Sequence, residues 1–191
     1  MADENKKKIA RIFLRDRLAG KKKLVIPGTG RSMYPLILEN DLLTIQGLAD
    51  GEIRTGDVIL FKTSSGLFCH RVVSRTRIGN VPHLVEIGDR LCIPHLVPAE
   101  KVLGKVVKIE NDRSAIDLTG FFMRRVNRVL GLYHRMLLTI FSPFERLGAQ
   151  GPVPMCRLAR WSLYHQVKRM SLWPPKLLLR LLIPIVKRAK R

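Results

Sequence analysis

Gly28-Thr29-Gly30-Arg31-Ser32-Met33-Tyr34-Pro35 joins two apolar extended segments and is the stretch from which the rest of the chain is read. Its glycines permit backbone conformations that a Cβ would block, so Ser32 can be held on a sharp, exposed turn. On its own such a stretch is a turn and nothing more. A serine so placed becomes a candidate nucleophile only when the chain supplies a base for its proton and amide donors for an oxyanion. Downstream, His70 lies within Leu67-Phe68-Cys69-His70-Arg71-Val72-Val73, and Asp89 closes Leu84-Val85-Glu86-Ile87-Gly88-Asp89.

Between these residues the pattern is that of strands. Leu24–Pro27, Leu42–Gln46, Gly56–Phe61, Leu67–Val73, Leu84–Ile87 and Val102–Ile109 are short runs rich in β-branched or aromatic residues, bounded by Gly, Pro, Asn or Asp. Short strands at this spacing predict a compact sheet curled on itself. Gly56-Asp57 and Gly88-Asp89 repeat a glycine followed by an aspartate at a strand end, where a carboxylate can accept from nearby amides.

The net charge of +20 over 191 residues is unevenly spread. Residues 1–23 carry nine Lys/Arg against three Asp/Glu, residues 24–110 ten against nine, and residues 111–191 sixteen against three. A near-neutral middle between basic ends suits an anionic surface, with a membrane leaflet favoured over nucleic acid, and for the C-terminal helices the alternative is a cap packed on the β domain or a partner-binding face. Residues 5–19 read as a short amphipathic helix ending at Gly20. Beyond about residue 118 the period becomes helical. At about 100° per residue, Arg124, Arg128 and Arg135 fall within about 40° of one another, opposite Phe122, Val126, Val129, Tyr133, Leu137 and Ile140. Ser142-Pro143, residues 148–154 and Trp173-Pro174-Pro175 are expected to interrupt this region, with a second helix over 155–172 and a last basic, leucine-rich piece over 176–191. The expected organisation is a basic amphipathic segment (1–23), a β domain (24–110) and a basic helical extension (111–191), mainly β overall.

Cys69, Cys92 and Cys156 form neither a CxxC pair nor a Cys/His ligand spacing, so the sequence indicates no disulfide framework, metal or organic cofactor and suits a reducing compartment. Ile9 to Leu18 is broken by Arg11, Arg15, Asp16 and Arg17, which is unlike a secretory signal. No uncharged apolar run reaches the roughly 18 residues of a membrane span. The expected location is the cytoplasm, peripheral to the inner face of the membrane.

Gly30-x-Ser32-Met33-x-Pro35, Asn40-Asp41, Gly56-Asp57-Val58-x-x-Phe61, His70-Arg71-Val72-Val73, Gly88-Asp89 and Gly104-Lys105-Val106-Val107 together resemble, in order and spacing, the signal peptidase I and LexA-like serine peptidase clan. The resemblance covers about residues 24–110. It implies a coiled, mostly antiparallel β domain in which Ser32 is the nucleophile and a following strand carries the base. The position before Arg-Val is lysine in most bacterial signal peptidases and histidine in the endoplasmic-reticulum and archaeal type, so His70 places the likeness in the histidine branch. Histidine titrates near neutrality and takes a serine proton without the desolvation that a lysine base requires. The Ser32 amide is the expected oxyanion donor with Gly30 against the same hole, while Met33 and Pro35 shape the turn and the floor of a substrate groove.

The chain departs from that pattern twice. The histidine branch carries a further aspartate beyond its Gly-Asp block, where this chain has Pro94-His95; Asp89 is therefore taken as the group that orients His70, with a Ser-His dyad as the alternative. Signal peptidases also carry a membrane span ahead of the serine, and residues 1–27 contain none. These features predict an endopeptidase that cleaves a leader or signal-like segment from a peptide or protein precursor at the membrane surface. The alternatives are an inactive peptide-binding module and a basic protein that binds membrane or nucleic acid. Arg71 and Arg90 are read as structural, and His83, His95, His134 and His165 as surface or packing residues.

Overall fold

A computed structural model describes residues 18, 22–48, 52–90, 93–112, 114–148 and 173–188. The expected N-terminal helix, apart from Leu18, and the expected helix over 155–172 lie outside them.

Eight strands form one antiparallel sheet among the described residues: β1 (Lys23–Pro27), β2 (Leu42–Gln46), β3 (Val58–Lys62), β4 (Leu67–Ile78), β5 (Val81–Ile87), β6 (Pro94–Pro98), β7 (Val102–Asn111) and β8 (Ser114–Asp117). Their spatial order is β1-β2-β7-β3-β4-β5-β6, with β8 paired to β7. The mainly β class expected from the sequence is therefore observed. Two strands were not expected. In β6 a five-residue run is bounded by Pro94 and Pro98, which the sheet accepts because β6 is the end of the path and its outer edge needs no amide donor. In β8 the segment is four residues long and extends the sheet past residue 110, opposite Lys108–Asn111.

Two helices follow, α1 (Phe121–Gly148) and α2 (Trp173–Arg188). The break expected at Ser142-Pro143 is not seen, because α1 continues to Gly148. That expected at Pro174-Pro175 is replaced by a helix start, where prolines displace no intrahelical hydrogen bond.

Val58-Ile59-Leu60-Phe61 is an unbroken apolar run because β3 is covered on both faces. Val58 and Leu60 join Leu43, Ile45, Val106 and Ile109 under Met123, Val126 and Leu130 of α1 and Leu179 of α2. Ile59 and Phe61 face the other way, with Val72, Leu84 and Val97. Helix α1 seats closely: a Cβ on Gly131 would come within 2.7 Å of the Gly56 amide nitrogen, and one on Gly56, whose φ is +96°, within 2.3 Å of the Asn127 carbonyl oxygen. Two glycines thus set the approach of helix to sheet, which brings the Asn127 side chain down to Arg71.

Candidate functional site

Ser32 sits on an exposed turn between β1 and β2. The base of the loop is closed by the Gly28 amide donating to the Asp41 carbonyl (2.7 Å) and the Asn40 amide donating to that of Gly28 (2.9 Å). The Asp41 carboxylate accepts from the Leu38 amide and from the Asn111 side chain. Met33, Pro35, Leu36 and Ile37 are buried beneath, so the loop is anchored by apolar side chains while Ser32 faces outward. Gly30 has φ +84° with open space where a Cβ would stand, so the turn selects glycine there for its backbone conformation and not for lack of room. Tyr34 accepts a hydrogen bond at 3.0 Å from Arg180 of α2, whose guanidinium also lies over its ring.

His70 on β4 is buried between this loop and β5. Its Nδ1 lies 2.5 Å from Oε2 of Glu86, itself 2% exposed. A carboxylate only accepts, so Nδ1 carries the proton and Nε2 of the neutral ring is left with its lone pair. Nε2 is buried without a hydrogen-bond partner among the described residues. It faces Ser32 across Gly88: a Cβ on Gly88 would stand 3.3 Å from Nε2, 3.3 Å from the Ser32 Cβ and 2.9 Å from the Ser32 carbonyl oxygen. Ser32 Cβ and His70 Nε2 therefore lie within twice 3.3 Å of each other. The Arg90 amide donates to the Ser32 carbonyl at 2.9 Å, fastening the turn after β5 to the serine loop. Phe61 and Phe68 pack against the imidazole, with ring centroids 5.7 and 6.0 Å away.

The structure corrects the expected role of Asp89. Both of its carboxylate oxygens accept from Arg71, at 2.8 Å from Nε and 2.7 Å from Nη2. Arg71 is fully buried, and its Nη1 donates to the Gly56 carbonyl and the Asn127 side chain. Asp89 thus neutralises a buried guanidinium that ties β4, the turn before β3 and α1 together, which agrees with a structural reading of Arg71. The carboxylate that meets His70 is Glu86. Strand alternation puts it on the face shared with Leu84, the face of β5 that turns toward Val72 and Phe61. A charged residue on an otherwise apolar strand face was the available signal.

His95 is also more than a bystander. It pairs with Glu86 across β5 and β6, and its Nδ1 lies 3.4 Å from Glu86 Oε1. Glu86 therefore stands between two imidazoles on three neighbouring strands. His134 is buried on α1, and His83 hydrogen-bonds the Val81 carbonyl. His165 lies outside the described residues.

Cys69, next to His70 in sequence, is a poor rival nucleophile. It packs against the core on the opposite face of β4, and burial pushes its thiol up to about 12. Asp57 is raised above the ordinary carboxylate value by burial, a shift opposed by the hydrogen bond from the Arg54 amide and by the charges of Lys105, Arg54 and Arg71. Its carboxylate closes the turn before β3, as the Gly-Asp pattern implies.

Comparison with known families, curated proteins and solved structures gives no match to this chain. No helix among the described residues is long and apolar enough to cross a membrane.

Proposed function

We propose that this chain is a serine endopeptidase of the signal peptidase I and LexA-like type, with a coiled, barrel-like β domain, that removes a leader or signal-like segment from a peptide or protein precursor. The observation that carries the reading is the asymmetry of the two His70 nitrogens. Nδ1 is held by a buried carboxylate, and the unpartnered Nε2 faces an exposed serine across a glycine that leaves no room for a side chain.

In this mechanism Nε2 takes the Ser32 hydroxyl proton as the oxygen attacks the scissile carbonyl, and Glu86 stabilises the imidazolium that forms. The Ser32 amide, beside the open face of Gly30, donates to the developing oxyanion. His70 then passes its proton to the leaving amine, and a water deprotonated by the same nitrogen releases the acyl group from Ser32. Met33 and Pro35 hold the loop from beneath. Asp89 acts through Arg71 to fix the strand that carries His70.

The reading extends to the membrane surface. Helix α1 buries Met123, Val126, Leu130 and Leu137 against the sheet yet leaves Phe121, Phe122, Val129, Leu132, Met136 and Ile140 exposed. At about 100° per residue these six fall within about 100° of arc, bordered by Arg124, Arg128 and Arg135, and Arg125 projects from within the same arc with its guanidinium 4.5 Å from the Phe121 ring centroid. The apolar arc is wider than the β domain covers, and arginines beside uncovered aromatic and aliphatic groups suit the interface of an anionic leaflet. Nucleic acid is the less favoured partner because it offers no apolar phase for these side chains.

The test compares protein and peptide N-termini in native-host cells carrying either the wild-type chain or Ser32→Ala at matched abundance. New N-termini that vanish with Ser32→Ala support catalysis and reveal the cleaved sequence. Identical N-termini, with both proteins folded, favour the peptide-binding alternative.

A further inference from the structure

We propose that His70, Glu86 and His95 form a binding site for a borderline divalent cation of the Zn²⁺ class, and that the ion switches off the proposed peptidase by capturing His70 Nδ1. The inhibitory half rests on the reading of Ser32 and His70 given above; the binding half does not.

One ligand atom from each of the three residues falls within 4.8 Å of the others. Two imidazoles and one carboxylate form a donor set that suits Zn²⁺ or Co²⁺ better than the oxygen-seeking Mg²⁺ or Ca²⁺. The 3.4 Å between Glu86 Oε1 and His95 Nδ1 is longer than a good hydrogen bond. It matches the roughly 3.3 Å edge of a tetrahedron built on bonds of about 2.0–2.1 Å. Adjacent strands fix the three backbones, and the direct pairing of Glu86 with His95 sets this edge without rearrangement. The His70 Nδ1 contact, at 2.5 Å, is a hydrogen bond to the other carboxylate oxygen, Oε2, so an ion that reaches both imidazoles either takes both Glu86 oxygens or turns the carboxylate to present one, and this hydrogen bond opens as the ion enters. His95 is 59% exposed while Glu86 is buried, so the ion arrives from the His95 side, where water completes its coordination.

The consequence for catalysis follows from one proton. In the resting ring Nδ1–H donates to Glu86 and Nε2 is free to accept. A cation on Nδ1 takes the position of that proton, which moves to Nε2 through solvent, so no proton is gained or lost by the neutral ring. Nε2–H now faces Ser32 and cannot remove the hydroxyl proton.

Titration of the purified full chain with Co²⁺, followed by visible absorption, and with Zn²⁺, followed by calorimetry, tests the proposal. One ion per chain is expected, with affinity at least about tenfold weaker in His95→Ala and in Glu86→Gln. Because His95 is exposed, thermal melting of His95→Ala serves as the fold control. No binding by wild type, or equal binding in both variants, overturns the site. If wild type turns over peptide, added Zn²⁺ should inhibit it, chelator should restore it, and His95→Ala should need at least about tenfold more Zn²⁺ for the same inhibition. Binding without inhibition overturns the switch while leaving both site and peptidase standing. Binding is read spectroscopically, so it also stands apart from a failure of the peptidase reading.

Discussion

Replacing Glu86 with Gln preserves shape and removes the charge that faces His70. The amide can settle in two ways between His70 Nδ1 at 2.5 Å and His95 Nδ1 at 3.4 Å. With its oxygen on His70 the resting tautomer survives, but the imidazolium loses a charge-assisted partner. Such bonds contribute about 1.5–3 kcal/mol against about 0.5–1.5 for neutral ones, so kcat falls by roughly tenfold. With its nitrogen on His70 the ring is driven to the Nε2–H tautomer and cannot act as a base, and the loss approaches about 10⁴-fold. Glu86→Gln should therefore lower kcat by about 10- to 10⁴-fold with little change in KM. Asp89→Asn provides the contrast. It leaves the buried Arg71 guanidinium without its bidentate carboxylate, at a cost of about 3–5 kcal/mol. At about 2–4 °C per kcal/mol in a domain of this size, that lowers the melting temperature by roughly 6–20 °C. Peptide turnover and thermal melting of the two variants, measured side by side, separate the roles. Unchanged kcat in Glu86→Gln, or a larger melting loss there than in Asp89→Asn, would refute the assignment of Glu86 to His70 and Asp89 to Arg71.

Four further outcomes are expected. Gly88→Ala sets a Cβ 2.9 Å from the Ser32 carbonyl oxygen and 3.3 Å from His70 Nε2, and should reduce turnover at least about tenfold, read by peptide cleavage on protein with normal circular dichroism. Gly131→Ala forces α1 away from Gly56 and should cost about 1–3 kcal/mol in denaturant unfolding. Cys69, with its thiol raised to about 12, should resist thiol reagents at neutral pH in the folded protein and react on denaturation, as followed by mass spectrometry. Val129→Glu with Met136→Glu should weaken co-sedimentation with anionic vesicles without lowering the melting temperature, since both side chains are already exposed.

What could be read from the sequence was governed by local pattern. β2, β3 and β7 announce themselves as apolar runs between turn residues, and the glycines around Ser32 mark a turn. His70 lies on a strand whose apolar neighbours fix its place. Glu86 is not legible locally, because a lone acid among Leu84, Val85 and Ile87 reads as a solvent-facing position. Its burial depends on pairing with β4 and β6, which no local window contains. The Gly-Asp setting singles out Asp89, yet Arg71 on the neighbouring strand β4 holds it through a bond spanning 18 residues. The helical period of α1 was plain. How much of its apolar arc the sheet would cover was not, because that depends on where Gly131 meets Gly56.

The measurement that bears most directly on the central claim is incubation of purified wild-type and Ser32→Ala protein with a complex mixture of peptides, followed by mass-spectrometric mapping of new termini. The account predicts cleavages sharing a sequence preference in the wild type and none in Ser32→Ala of equal stability. The same cleavages from both proteins, or none from a folded wild type that still binds the peptides, would contradict it.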